Sequence, residues 1–157
     1  MMTIWIDADS CPRPIRAIIM KAAARLKIIT VFVADRNLTD CAGNFVRMQV
    51  VEPGMDSADS WIVEHVQKGD LSISRDIILA SKLVEKGSTV IDDRGTIYTE
   101  ENIAERLSVR NMMADFRESG IFSEKTKPMS PRDIQSFANM FDKEITAALR
   151  SEIGSKN

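Results

Sequence analysis

Apolar and polar residues change along the chain in blocks that predict strands and helices in turn. Short apolar or β-branched runs predict strands over residues 3–6, 28–33, 45–51, 71–74 and 89–91. Apolar positions spaced three and four residues apart predict helices between these strands, over 15–26, 57–68 and 76–86. Strands that alternate with helices favour βαβ units, so we expect an α/β domain with a mostly parallel sheet and helices on both faces.

The pattern changes after Thr99, where only helical periodicity continues. One helix is predicted from residue 99 to about 119. Ser130, Pro131 and Asp133 form a capping-box pattern with proline at the first helical position, which predicts the start of a second helix. We therefore expect one domain over residues 1–153, with an α/β core at 1–98, C-terminal helices at 99–153 and a frayed tail at 154–157.

Composition excludes several classes of protein. The chain has 157 residues, 44% of them hydrophobic and 28% charged, which is typical of an ordinary globular domain and excludes disordered or fibrous chains. No apolar run approaches the ~20 residues that span a bilayer. The N-terminus reaches an acid at Asp7 and is not typical of a signal peptide, and two cysteines are too few for a disulfide framework. We expect a cytoplasmic protein with no membrane partner.

Charge is unevenly distributed along the chain. The net charge of −2 argues against a protein that coats nucleic acid by bulk charge. Residues 10–34 nevertheless contain no acid and five bases: Arg13, Arg16, Lys21, Arg25 and Lys27. Such a segment is compatible with a solvated helix face, and also with a surface that contacts a polyanion beside an acidic site.

Aspartates follow the predicted strands or begin the helices after them. These acidic groups are Asp7 with Asp9, Asp56 with Asp59, Asp76, and Asp92 with Asp93. Ligands of open α/β sheets bind outside the carboxyl ends of the strands, so a parallel sheet would bring all four groups to one edge. The alternative for each acid taken singly is a helix cap or a turn residue.

Carboxylates this close repel one another unless a cation neutralises them. Oxygen ligands without histidine or cysteine suit Mg²⁺ or Mn²⁺, and two such ions about 4 Å apart can support phosphodiester hydrolysis. The predicted metal ligands are Asp7, Asp9, Asp59, Asp76 and Asp92, and the predicted catalytic set adds Asp56 and Asp93. The predicted nucleic-acid contacts are Arg13 and Arg16, which begin the acid-free helix, with Arg94 and, less favoured, Arg75.

Two further residues are assigned no chemistry. His65, the only histidine, is predicted to have a packing role, which argues against a serine–histidine–aspartate triad. Cys11 lies near the acids, but a lone cysteine without a neighbouring histidine is a weak candidate for a nucleophile.

Several segments resemble the YaiI/YqxD family of bacterial proteins. They are residues 4–12, 54–63, 69–80, 93–95 with 98–99, and 132–133 with 137–139. The domain of that family is similar to the PIN-like nucleases, which implies a three-layer α/β domain, here with two extra C-terminal helices. By position, Asp7 resembles the first PIN acid and Asp56 or Asp59 the helix acid. Residues 74–76 resemble the Ser/Thr-x-Asp motif, and Asp92 or Asp93 the last acid.

The expected function is a Mg²⁺- or Mn²⁺-dependent nuclease, a ribonuclease-like phosphodiesterase acting on RNA or another phosphodiester. Two alternatives stay open. Asp7 and Asp9 also resemble the nucleophile and acid of a haloacid-dehalogenase phosphatase, whose later motifs would be Ser74, Lys82 or Lys86, and Asp92 with Asp93. The third interpretation is a non-catalytic RNA-binding module. The sequence leaves the oligomeric state open.

Overall fold

The computed structural model describes residues 2–54, 57–118 and 128–155, and its elements alternate as the sequence pattern predicts. The strands are β1 (Ile4–Asp7), β2 (Thr30–Ala34), β3 (Val46–Val50), β4 (Leu71–Ile73), β5 (Thr89–Ile91) and β6 (Ile97–Tyr98). The helices are α1 (Arg13–Leu26), α2 (Ser57–His65), α3 (Ile77–Glu85), α4 (Glu100–Glu118) and α5 (Pro131–Ser155). A single 3-10 turn, Ala8–Ser10, follows β1 directly.

All six strands form one sheet in the order β3-β2-β1-β4-β5-β6. Every neighbouring pair is parallel except β5 with β6, where Val90 lies opposite Tyr98. The predicted mostly parallel sheet is confirmed. β6 is an addition that the sequence analysis did not predict.

Two apolar cores cover the two faces of the sheet. Alternate residues of β1 belong to different cores. Ile4 and Ile6 pack with apolar residues of α1 and α5, whereas Trp5 packs with apolar residues of α2 and α3. Each strand side chain points to the face opposite its neighbour's, so one strand supplies both cores. The result is the predicted three-layer arrangement, with the C-terminal helix α5 completing one outer layer.

Local capping signals explain where helices α3 and α5 begin. The carboxylate of Asp76 accepts hydrogen bonds from the backbone N–H groups of Ile78 and Leu79 and caps α3. At α5 the capping box is reciprocal, because Ser130 Oγ accepts from the N–H of Asp133 while Asp133 Oδ2 accepts from the N–H of Ser130, each at 3.1 Å.

The topology creates a crevice at the carboxyl ends of β1 and β4. The chain passes from β1 to β2 in one direction across the sheet and from β4 to β5 in the other. Helices α1 and α3 therefore lie on opposite faces, and the loops after β1 and β4 diverge. None of the helices among the described residues combines the length and the apolar composition that a membrane span requires.

Candidate functional site

An acidic cleft of about 220 Å³ lies at this edge of the sheet. It is lined by Asp7, Asp9, Asp35, Gly54, Ser57, Ala58, Asp59 and Asp76. Four of these aspartates were predicted as site residues, and the structure brings them together. Asp56 was also predicted, but it lies outside the described residues. The described lining contains no basic side chain, so the cleft is strongly negative.

Asp35 is the site residue that the sequence analysis missed. It follows β2 directly, in a segment to which the sequence analysis assigns no site residue. Its position at the end of a buried β-branched run was the signal that could have found it. The same rule that selected Asp7 after β1 applies to Asp35, because β1 and β2 are parallel neighbours.

Asp7 is the most buried carboxylate of the cleft, at 8% exposure. Its Oδ2 accepts hydrogen bonds from Ser74 Oγ at 3.1 Å and Ser10 Oγ at 3.2 Å. Burial raises the pKa of Asp7, and the two serine hydrogen bonds partly oppose that increase. The nearby charges of Asp76 and Asp9 raise the pKa further. Asp7 is thus a carboxylate whose ionised form is costly in the metal-free fold.

Asp9 and Asp76 are each held through one carboxylate oxygen. Asp9 Oδ2 accepts a hydrogen bond from the N–H of Asp35 at 3.1 Å. Asp76 Oδ1 accepts the two capping bonds of α3, and the N–H of Asp76 donates to Ser74 Oγ at 3.0 Å. Ser74 therefore connects Asp7 to Asp76, and this explains why a serine stands two residues before the capping acid.

The described residues leave the second oxygen of Asp7, Asp9 and Asp76 without a hydrogen bond. Asp7 Oδ1, Asp9 Oδ1 and Asp76 Oδ2 accept no hydrogen bond from the described residues. Fixing one oxygen while leaving the other open is how outer hydrogen bonds orient carboxylate ligands of a metal. Among the described residues, no three carboxylate, histidine or cysteine groups already converge closely enough to hold an ion. The donor chemistry fits a hard divalent cation, and the ligands would have to move together to bind one.

Asp92 has a different position from the one predicted. Its Oδ1 accepts the N–H groups of Arg94 and Thr96, each at 2.9 Å, and its Oδ2 accepts from the Tyr98 hydroxyl at 3.4 Å. It shapes the turn between β5 and β6 and does not line the cleft. Burial raises the pKa of Asp92, opposed by the backbone hydrogen bonds.

Asp93 also lies outside the cleft lining, and it pairs with Arg75. Arg75 Nε and Nη2 both donate to Asp93 Oδ2. The side chain of Asp93 is 5% exposed, whereas that of Arg75 is 40% exposed. The predicted catalytic acid and the predicted phosphate contact are thus partners in one ion pair after β4 and β5.

The other predicted arginine contacts differ in accessibility. Arg13 is exposed at the start of α1. Arg16 is buried, where it donates to both oxygens of Asp40 and to the carbonyl of Cys11, so its guanidinium holds the loop after β2 against α1. Arg94 lies 3.4 Å from Asp133 at the start of α5 and is 34% exposed.

His65 and Cys11 lie outside the cleft lining. The His65 ring is stacked on Trp61 at 3.8 Å between centroids, and Trp61 in turn packs against Trp5 at 5.6 Å. This is the packing contact that the sequence analysis expected, although the His65 side chain is exposed. Cys11 is buried, and burial raises the pKa of its thiol well above the usual range, with Asp93 adding to the effect.

The fold places the protein among three-layer α/β proteins with a mostly parallel sheet, and the acidic cleft lies at the carboxyl edge of that sheet. The sequence profile described as "Uncharacterized BCR, YaiI/YqxD family" matches residues 5–147. The chain belongs to this family, as its motifs indicated.

Relatives named UPF0178 protein match over nearly the whole chain. The relative from Myxococcus xanthus is 46% identical over 151 residues, which cover 96% of this chain and 99% of the relative. The one from Syntrophobacter fumaroxidans is 46% identical over 145 residues, 92% of this chain and 95% of the relative. The one from Treponema pallidum is 44% identical over 149 residues, 95% of this chain and 84% of the relative. No solved structure matched the chain.

Proposed function

We propose that the acidic cleft binds Mg²⁺ or Mn²⁺ and hydrolyses phosphodiester bonds, with RNA as the substrate, in the manner of PIN-like nucleases. The observation that carries this proposal is the convergence of Asp7, Asp9, Asp35, Asp59 and Asp76 on one cleft without a basic side chain in its described lining. Carboxylates so arranged repel one another, and a divalent cation is the ligand that would relieve the repulsion.

Such a site needs two kinds of residue: carboxylates that bind the ions, and groups that orient those carboxylates by hydrogen bonds. Asp7, Asp9 and Asp76 would offer their open oxygens to the metal. Ser10 and Ser74 hold the other oxygen of Asp7, the N–H of Asp35 holds that of Asp9, and the first N–H groups of α3 hold that of Asp76. Bound ions would supply charge that activates water and stabilises the leaving oxygen. Asp35, which follows β2, and Asp59, in the first turn of α2, also line the cleft.

The phosphatase alternative has less support. It needs a lysine and a later aspartate beside Asp7 and Asp9. Lys82 and Lys86 lie at the end of α3 that is remote from its cap at Asp76, and neither lines the cleft. Asp92 accepts the backbone hydrogen bonds of the turn after β5, and Asp93 forms an ion pair with Arg75. A monoester dianion would meet no basic side chain in the described lining, so we favour a diester substrate, which carries one negative charge fewer.

The test is cleavage of a panel of single-stranded and structured RNAs by the purified protein with Mn²⁺, with Mg²⁺ and with EDTA. We expect metal-dependent cleavage that falls by a factor of 100 or more in Asp76→Asn, since a two-ion site relies on that charge. The variant keeps the cap, because an asparagine oxygen can still accept from the N–H groups of Ile78 and Leu79.

The matched control is Asp142→Asn, which removes the same charge from an exposed position on α5. It should cleave like the wild type. Cleavage that persists in Asp76→Asn would assign the activity to a contaminant or another site. RNA binding without turnover would favour the binding-module alternative, and hydrolysis of phosphomonoesters alone would favour the phosphatase.

A further inference from the structure

The ion pair between Arg75 and Asp93 has no role in the proposed metal chemistry. It joins the loops after two adjacent parallel strands, β4 and β5, at the same edge of the sheet as the cleft. Arg75 stands in the chain between Ser74, which holds Asp7, and Asp76, which lines the cleft. Its backbone is therefore fixed on both sides by residues of the site.

The pair is asymmetric in its exposure. Asp93 is almost completely buried and Arg75 is 40% exposed, so the carboxylate is enclosed while the guanidinium faces solvent. Burying a carboxylate is costly, and replacing such a pair by apolar residues is often neutral or stabilising. Fold stability alone gives little reason for this arrangement. An accessible cation with a buried anchor is instead what a site for an external anion requires.

The hydrogen-bond geometry also leaves donors available. Nε and Nη2 of Arg75 both donate hydrogen bonds to one oxygen of Asp93. Nη1 makes no hydrogen bond to any of the described residues. Because the guanidinium is planar and rigid, fixing two of its nitrogens also fixes the direction of the third. Phosphate oxygens are the acceptors that such a fork binds best.

We propose that Arg75 binds a phosphate adjacent to the one in the acidic cleft, and that Asp93 is the residue that positions it. The proposal rests on the proposed function and makes it more specific. Arg75 lies beside the cleft and not in its lining, so its phosphate is a neighbour of the scissile one. The substrate class is then a polynucleotide strand with consecutive phosphates, and not an isolated diester or a monoester.

The experiment compares a strand with a diester that has only one phosphate. The central variant is the double substitution Arg75→Gln with Asp93→Asn, which removes the cation without leaving a buried charge unpaired. We expect its KM for a short oligouridylate to rise several-fold with kcat retained. Its hydrolysis of bis(4-nitrophenyl) phosphate should match the wild type.

Binding without turnover gives a second readout, measured by fluorescence anisotropy of the oligouridylate with EDTA present. Loss of one phosphate contact should reduce the magnitude of the slope of the logarithm of the association constant against the logarithm of salt concentration by about 0.7. Asp93→Asn alone should raise KM but keep the slope, since Arg75 retains its charge and loses only its orientation. Arg25→Gln, on an exposed arginine in the last turn of α1, is the control and should change neither quantity.

The outcomes separate this inference from the proposed function. An unchanged slope and KM in the double variant, an equal effect of Arg25→Gln, or no binding of oligouridylate by the wild type would each overturn it. If the wild type binds oligouridylate but cleaves no RNA, a smaller slope in the double variant than in the wild type would support the strand contact and count against the nuclease. Equal losses on the strand and on bis(4-nitrophenyl) phosphate would also overturn it, because Arg75 would then act at the scissile phosphate or on the fold.

Discussion

Three acids of the cleft use one carboxylate oxygen within the described fold and leave the other oxygen open. Asp7 lies at the end of a buried strand, so one oxygen is satisfied by Ser10 and Ser74 while the carboxylate as a whole loses solvation. The same division of oxygens recurs at Asp9 and Asp76. Without a metal ion this arrangement lowers the stability of the fold, and under the proposed function that loss is the cost of a site prepared for a cation.

This cost predicts a pH dependence for Asp7→Asn. Because burial raises the pKa of Asp7 above its usual 3.8, the folded state binds the proton more tightly than the unfolded state just above pH 3.8. Stability therefore falls as pH rises through the folded pKa, by about 1.4 kcal/mol for each unit of the shift. Asp7→Asn has no carboxylate to titrate at this position and lacks this loss. Without metal, the variant should be more stable than the wild type at pH 7, and by a smaller margin at pH 4.

Urea denaturation of both proteins at several pH values measures the difference. The raised pKa of Asp92 and the lowered pKa of Asp40, which Arg16 holds down, are present in both proteins and cancel. Asp142→Asn serves as the exposed control. A stability difference that is independent of pH, or larger at pH 4, would contradict the account of Asp7.

The residues of the site were predictable where strand ends determine them. Asp7, Asp9 and Asp76 were predicted because each follows a strand that is recognisable from its apolar run. The partners of a charge were not predictable, since the pairing of Arg16 with Asp40 and of Arg75 with Asp93 joins residues 24 and 18 positions apart. Those contacts depend on how two loops meet in space.

At the scale of elements, the hydrophobic periodicity predicted whether a segment is a helix or a strand better than it predicted where that segment ends. Helix α2 ends at His65, earlier than the predicted residue 68, and Val66 turns inward as a buried residue. β6 is only two residues long and antiparallel, and it is paired because the turn held by Asp92 brings Tyr98 opposite Val90. A two-residue strand has no alternation that a sequence pattern can reveal.

The docking of α5 on this turn gives a prediction for Gly95. Its φ is +86°, and a Cβ there would lie 2.6 Å from the backbone oxygen of Ser136 on α5. Gly69 has a similar φ of +93° but nothing within 4 Å of its Cβ position. Gly69→Ala should cost about 1 kcal/mol from backbone strain alone. Gly95→Ala adds the clash and should cost about 2–4 kcal/mol in total.

Urea denaturation of the two alanine variants measures this difference directly. Thermal denaturation gives a second readout, because a difference of 1 kcal/mol in unfolding free energy between the variants is about 2–4 °C in melting temperature for a domain of this size. Equal destabilisation by both variants would mean that α5 does not contact the turn at Gly95.

At the scale of the whole molecule, charge is separated along one edge of the sheet. The acidic cleft lies where α2 and α3 begin, and the exposed parts of Arg75 and Arg94 lie toward β5 and the start of α5. A net charge of −2 conceals this arrangement. The fold creates it because parallel strands deliver their carboxyl ends to one edge, whichever face their helices cover.

The most direct test of the proposed metal binding is to compare melting temperatures without metal and in millimolar Mn²⁺. The comparison is made for the wild type and for Asp76→Asn. Binding at 100 times the dissociation constant stabilises a fold by about 2.7 kcal/mol. The account predicts a rise of several degrees in the wild type. In Asp76→Asn it predicts an equal or higher melting temperature without metal and little response to Mn²⁺. No Mn²⁺-induced rise in the wild type, or the same rise in both proteins, would contradict it.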